Sequence, residues 1–225
     1  MSAAERLAAV RASMAAAAVR AGRSPDDVRL LAVSKLQPIE RVRELYAAGQ
    51  RDFGENYAQD LRDRAEALAD LTELRWHAIG PLQTNKVKYV ARAAVAFHAL
   101  DRIEVARELS RKVAGPIDVF LEVNVAGEAT KHGVAPEAVP SLLAEVRTLP
   151  NLRVVGLMTM PPQPDDPGWT ADHNRPHFRR LRELAVGLGL TELSMGTTSD
   201  YEVAIEEGAT WVRVGRSLFG DRAAA

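Results

Sequence analysis

Leu30-Leu31-Ala32-Val33-Ser34-Lys35 is a run of five apolar or small residues that ends in one cation. A short apolar run of this kind reads as a buried strand. Gln37-Pro38 follows, and Pro38 suits the first turn of a helix that continues through Arg43 and Leu45 to Ala48. Lys35 therefore stands where a buried strand opens into a loop. Desolvation at such a place favours the neutral amine, which attacks carbonyls. A lysine that snorkels from the strand end into solvent fits the same position. Position alone does not choose between the two.

The alternation repeats on both sides of this stretch. Upstream, Leu7, Val10, Met14 and Ala18 recur at helical spacing and predict a helix over 3–21. Downstream, strands are predicted at 52–54, 75–79, 95–99, 117–123, 152–158, 192–195 and 211–214. Helices are predicted between them at 57–68, 85–91, 103–113, 136–148, 176–186 and 201–207. Strands separated by helices point to a parallel sheet wrapped by helices. Eight such units in 225 residues match a single-domain (β/α)8 TIM barrel spanning residues 1–225, with an extra N-terminal helix. A doubly wound open sheet is the alternative, but no glycine-rich dinucleotide fingerprint follows the first strand. The proline-rich segment 161–170 reads as an excursion rather than a domain boundary.

Composition narrows the function. The net charge of -1 invites neither nucleic acid nor an anionic membrane. The absence of cysteine excludes disulfides, thiol catalysis and thiolate metal sites, and fits a reducing cytoplasm. The alanine-rich N-terminus is broken by Arg6, Arg11 and Arg20, unlike a signal peptide, and no run approaches a membrane span. The expectation is a cytoplasmic protein without nucleic-acid or membrane partners.

In a barrel, chemistry gathers at the carboxyl ends of the strands. Those positions hold Lys35, the Glu55-Asn56-Tyr57 group, His77, Gly80, Asn124 and Met158. Two clusters stand out beyond the wetness of any strand end. Ser194-Met195-Gly196-Thr197-Thr198-Ser199-Asp200 sets small hydroxyl residues and a glycine between a strand and a helix, which suits an anion. Plain capping by Ser199 or Asp200 needs only one of them. Arg213-Val214-Gly215-Arg216 ends the last strand in glycine. Barrels often bind phosphate with the loops after strands seven and eight, and strand eight neighbours strand one. A phosphorylated aldehyde would meet both the cradle and Lys35; pyridoxal 5′-phosphate (PLP) and sugar-phosphate aldehydes qualify.

Six ordered motifs carry a family resemblance: A-V-S-K (Ala32 to Lys35), F-G-E-N-Y (Phe53 to Tyr57), W-H-x-I-G-x-L-Q-x-N-K (Trp76 to Lys86), G-L-M (Gly156 to Met158), L-S-M-G-x-x-x-D-Y-E-x-A-I (Leu193 to Ile205) and V-R-V-G-x-x-x-F-G (Val212 to Gly220). Together they span nearly the whole chain, which resembles the pyridoxal phosphate homeostasis protein family. The resemblance implies a barrel like the N-terminal domain of alanine racemase. It implies PLP as cofactor, held by Lys35 as a Schiff base. It places Ser194 and Thr198 in the phosphate loop, with Gly215 and Arg216 offering backbone N–H groups to the phosphate. Arg213 would face the pyridine nitrogen, and Asn56, His77 and Met158 would line the pocket around the ring. Thr198 stands where the family usually has serine, and Thr197 where it usually has methionine.

A guanidinium does not give up its proton, so Arg213 would discourage pyridinium formation and leave a weaker electron sink than a carboxylate partner. Alanine racemase-like proteins carry a second, β-rich domain whose length is not seen in this sequence, and Tyr57 and His77 are the only second-base candidates. The implied function is a carrier, buffer or regulator of PLP with little or no catalysis, no metal, and apo-enzymes as acceptors. A monomer is expected. A slow PLP-dependent amino-acid racemase is the alternative, and a Schiff-base aldolase ranks third. Lys86, Lys88 and Lys131-His132 read as solvated, His173 and His177 as surface histidines, Glu202 and Glu206 as a solvated like-charge pair, and Trp76 and Trp211 as core.

Overall fold

The computed structural model describes residues 1–128, 132–162 and 167–220. Helix α1 (Ala3–Arg20) comes first. Then strands and helices alternate: β1 (Arg29–Val33), α2 (Ile39–Ala47), β2 (Asp52–Glu55), α3 (Ala58–Ala67), β3 (Arg75–Ala78), α4 (Val87–Ala93), β4 (Ala94–Leu100) and α5 (Ile103–Lys112). The second half continues with β5 (Ile117–Glu122), α6 (Val139–Arg147), β6 (Leu152–Met158), α7 (Arg175–Gly187), β7 (Glu192–Thr197), α8 (Tyr201–Glu206), β8 (Trp211–Val214) and the short α9 (Arg216–Phe219). All eight strands are parallel and close into a barrel in chain order. The expected (β/α)8 architecture and extra N-terminal helix are both present.

Local chemistry explains the boundaries. Ser2 and Glu5 cap α1 reciprocally: the Ser2 Oγ accepts from the Glu5 N–H, and a Glu5 carboxylate oxygen accepts from the Ser2 N–H at 2.7 Å. Pro38 sits at the N-cap of α2 rather than inside it, with its extended ψ of 149° turning the chain into the helix. Short 3-10 turns at 84–86 and 136–138 delay the starts of α4 and α6 relative to the sequence expectation, and a third at 171–174 leads directly into α7. Helix α9 was not expected from the sequence; four residues give too few turns for a periodicity signal.

Alternation along each strand sorts the side chains. Phe53, Val119, Leu121, Val212 and Val214 face the helices and are wholly buried. Arg29, Asp52, Arg75, Asp118, Arg153 and Glu192 line the N-terminal end of the barrel. There they pair as Arg75–Asp52 at 2.6 Å, Arg153–Asp118 at 2.5 Å and Arg29–Glu192. Helix α1 packs over α2, α8 and α9. Arg6 Nε donates to the Leu218 carbonyl at 2.6 Å, and Arg20 bridges Glu202 and Glu206 at 2.9 Å each. Glu202 and Glu206 are thus not the solvated like-charge pair expected. Their counter-charge comes from a helix far away in sequence, which no local spacing reveals.

Gly156 fixes how β6 meets β7. A Cβ there would stand 1.9 Å from the Glu192 carbonyl oxygen, well inside contact distance. Gly156→Ala is expected to destabilise the fold by about 2–3 kcal/mol through forced backbone separation. Gly187→Ala, with nothing within 4 Å of its added Cβ, is the control. In urea unfolding the first should lower the midpoint clearly, and the second should leave it level or raise it, because alanine favours helix.

Candidate functional site at the carboxyl end of the barrel

The two ends of the barrel differ in kind. A cavity of about 540 Å³ opens at the N-terminal end, beside the three ion pairs described above. Its charged side chains already have partners, as expected of an end that serves stability. The other end of the barrel carries backbone and side-chain donors without described partners.

Lys35 stands two residues beyond β1, half-buried, in the turn that follows the strand. Gln37 N–H donates to the Ser34 carbonyl at 3.0 Å to close this turn. Leu36 takes the left-handed conformation at φ 60°, which costs a non-glycine residue about 1 kcal/mol. A buried network pays that cost: Ser34 Oγ donates to Glu55 Oε1 at 2.7 Å, Arg64 Nε bonds the same oxygen at 2.9 Å, and Arg64 Nη2 donates to the Gln37 carbonyl at 2.6 Å. Burial pushes the Glu55 carboxyl up, with the Ser34 hydroxyl and Arg64 opposing it. Asn56 and Tyr57 follow β2; Asn56 is half-buried and Tyr57 is 59% exposed. The Asn56 carbonyl lies where a Cβ on Gly80 would come within 2.3 Å, so glycine at 80 lets the loops after β2 and β3 touch.

Register places β8 against β1, with Leu31 beside Arg213 and Ala32 beside Val214. The loops after β7 and β8 are then tied together by the Gly215 N–H, which donates to Thr198 Oγ1 at 3.2 Å. A Cβ on Gly215 would stand 3.3 Å from the Val33 carbonyl, so the β8 loop lies close on the end of β1. Gly196, at φ 88°, bends the end of β7 where a side chain would strike Ala204 and Tyr201. Asp200 Oδ1 accepts from the Thr197 N–H at 2.6 Å and holds that loop. Capping and loop closure thus account for Asp200. The N–H groups of Thr198, Ser199, Arg216 and Ser217 donate to no described group.

Two residues assigned to the pocket by sequence lie deeper. Ser194 is wholly buried, and its Oγ sits between His98 and Arg213 at 2.8 Å from each. Its hydroxyl is thus engaged by Arg213 and His98 in the core rather than turned toward the loops after β7 and β8. His77 has both ring nitrogens engaged, Nδ1 with His98 at 3.0 Å and Nε2 with Asp52 at 3.1 Å. Its ring faces the barrel core and lines the N-terminal cavity. Side-chain parity decides both placements, and it depends on the register of the closed barrel. Burial lowers the pKa of His77 and lowers that of His98 further. Asp52, despite its burial, is held down to about 2 by Arg75 and His77.

Arg213 is buried and bonds to no carboxylate. Its Nη1 donates to Ser194, and its Nη2 donates to the Thr159 carbonyl and Met160 Sδ at 2.8 and 2.9 Å. Burial pushes its pKa down to about 10, so it stays a cation at neutral pH. The Nε–H and one Nη1–H have no described partner, which leaves donors for an acceptor such as a ring nitrogen.

Sequence reading missed two residues of this region, His98 and Glu122. Both sit inside strands that read simply as apolar runs. Glu122 ends β5 beside Met158, which is buried. Its Oε2 is buried with no hydrogen-bond partner. Burial, reinforced by Asp101 and opposed by Arg213, raises its pKa to about 7. Elsewhere, Trp76 and Trp211 are core as expected. His173 Nδ1 accepts from the Thr170 N–H, and no metal cluster exists among the described residues. Lys88 and Arg62 lie over the Tyr89 ring. Lys131 and part of segment 161–170 fall outside the described residues.

The raised pKa of Glu122 has a signed consequence. A carboxyl whose folded pKa lies above its unfolded value favours the fold at low pH and loses that contribution as pH rises through about 7. Glu122→Gln should therefore match the wild type near pH 4 and exceed it at pH 8 by about 2–3 kcal/mol. Urea midpoints measured across that range check this; a constant difference between the two proteins would contradict it.

Residues 6–223 match the family described as alanine racemase, N-terminal domain. A pyridoxal phosphate homeostasis protein of Pseudomonas aeruginosa is 50% identical, over 97% of this chain and 95% of its own. The structure of PipY from Synechococcus elongatus, solved with PLP bound, superposes with a TM-score of 0.83 at 35% identity, covering 97% of this chain and all of that one. Alanine racemase from Corynebacterium glutamicum shares the fold alone, at 18% identity and a TM-score of 0.66, and the match covers 97% of this chain and 62% of the racemase. No described helix is long and apolar enough to cross a membrane. By motif, fold and overall similarity, the chain belongs to the pyridoxal phosphate homeostasis proteins, which are built on the alanine racemase N-terminal domain.

Proposed function

We propose that this protein holds PLP at the carboxyl end of the barrel, with Lys35 as its Schiff-base lysine, and acts as an intracellular carrier, buffer or regulator of the cofactor with little or no catalysis. The register of β1 and β8 supports the reading: it pairs the strand that leads to Lys35 with the strand that leads to Gly215 and Arg216, and the loops after β7 and β8 carry N–H groups with no described acceptor. When bound, PLP supplies an aldehyde that condenses with an amine. The chain's own residues do the rest. Backbone N–H groups of Thr198, Ser199, Arg216 and Ser217 receive the phosphate, and the Thr198 hydroxyl, now an acceptor for Gly215, lies between the two loops. Arg213 offers its remaining N–H groups to the ring nitrogen. Asn56 and Met158 flank the ring. The chemistry of the donor set, N–H groups with no described acceptor and one guanidinium, fits an anionic phosphate and a ring nitrogen that accepts.

Arrangement of the remaining groups supports holding over turnover. A guanidinium at the ring nitrogen donates and never accepts, so it keeps the ring a weak electron sink. The two second-base candidates are poorly placed for proton transfer at the mouth: His77 is locked in the core by both nitrogens, and Tyr57 is largely exposed. Apo-enzymes that need PLP are the acceptors in this reading, and the protein works as a cytoplasmic monomer.

Added PLP should turn the purified protein yellow, and borohydride should trap one PLP on Lys35, as read by mass spectrometry of the peptide. Lys35→Ala should lose both signals. Thr198→Val should weaken binding by about 1 kcal/mol, the usual worth of one hydrogen bond. A panel of amino acids in deuterated water should show no α-proton exchange; rapid exchange dependent on Lys35 would instead establish a racemase. A borohydride adduct with a sugar phosphate and none with PLP would establish an aldolase.

A further inference from the structure

Five side chains form a hydrogen-bonded path through the barrel core, from Asp52 near its N-terminal end to Arg213 at the mouth. Its donor order follows from its ends, because a guanidinium only donates and a carboxylate only accepts. Arg213 Nη1 donates to Ser194 Oγ at 2.8 Å. The serine hydroxyl proton is then directed to His98 Nδ1, also at 2.8 Å. With Nδ1 accepting, His98 carries its proton on Nε2 and donates to His77 Nδ1 at 3.0 Å. His77 in turn carries its proton on Nε2 and donates to Asp52 Oδ1 at 3.1 Å, while Arg75 clamps both oxygens of that carboxylate. The opposite order requires an imidazolium at His77, which is 3% exposed. Phe120 stacks on the His98 ring at 4.2 Å between centroids, and Trp211 packs against both histidines. This apolar sheath lowers the local dielectric, so each bond polarises the next.

Arg213 has no carboxylate at bonding distance; its partners are a hydroxyl, a carbonyl and a thioether. We infer that Ser194, His98 and His77 are positioning residues that transmit the negative potential of Asp52 through the core to Arg213, fixing its orientation and how strongly it donates to the ring nitrogen of bound PLP. The inference rests on the PLP reading above. The path makes one unbroken line from a carboxylate at the far end of the barrel to the group facing the cofactor.

The test has two arms. In the first, nitrogen-15 NMR of the protein without PLP reads the histidine tautomers at pH 7. Both His77 and His98 should be neutral with the proton on Nε2; an Nδ1–H tautomer or an imidazolium at either overturns the donor order. In the second, the visible band and affinity of bound PLP are compared between variants. His98→Phe keeps a ring against Phe120 but cuts the path, and should shift the band and weaken PLP binding about tenfold, the equivalent of 1.4 kcal/mol. His98→Gln retains one acceptor and one donor and should restore both. A His98→Phe protein with wild-type band and affinity overturns the positioning role, and so does a His98→Gln protein no better than His98→Phe. Should His98→Phe fail to fold, Ser194→Ala cuts the path one link nearer Arg213 and is judged by the same shift. Wild-type protein that takes up no PLP defeats the functional reading and the positioning role with it, while the tautomers still decide the donor order by themselves.

Discussion

Closure of β8 onto β1 is the constraint on which the site depends. Four residue pairs, Arg29 with Trp211 through Ala32 with Val214, join the last strand to the first. That pairing turns two loops and one lysine from opposite ends of the chain into neighbours. It also brings the Gly215 backbone close against the Val33 carbonyl, so the loop after β8 is seated by the strand that delivers Lys35. A shift of one residue would turn Arg213 from the lumen to the helix layer, because alternate strand residues face opposite sides. Chemistry and architecture are therefore specified by the same set of backbone hydrogen bonds.

Within that frame the barrel contains more charge than a simple core would. At the N-terminal end the charges come in adjacent pairs: Asp52 with Arg75, Asp118 with Arg153, Glu192 with Arg29. Toward the mouth the pairing is incomplete. Arg213 has neutral partners, Glu122 has an unpartnered oxygen, and Glu55 shares one oxygen with Ser34 and Arg64 while its other oxygen has none. Buried ionic groups that lack close partners cost stability. The paired ring at the other end fits a role in stability.

Rigid support recurs around the mouth. Lys35 rests on a turn with a left-handed leucine, held from below by a serine, a glutamate and an arginine. The loop after β7 is bent by Gly196 and clamped by Asp200, whose other oxygen accepts from Asn174 at 2.8 Å. Helix α1 then binds the α8 and α9 side of the barrel through Arg6 and Arg20. In each case a loop or helix is fixed by side chains reaching in from a neighbouring element.

The sequence by itself determined the alternation of strands and helices, the single barrel, and the strand-end address of Lys35, Thr198 and Gly215. Those follow from periodicity and from glycine and proline punctuation, which are local signals. Ordered motifs also identified the family. Only the tertiary structure decided which way the strand residues point. It turned Ser194 and His77 into the core, joined His98 to them, and left Glu122 buried at the mouth beside Met158. It also supplied Arg20 to Glu202 and Glu206 across more than half the chain. The physical reason is the same throughout: facing, pairing and desolvation depend on the register between strands and the packing between helices, and these exist only once distant segments have met.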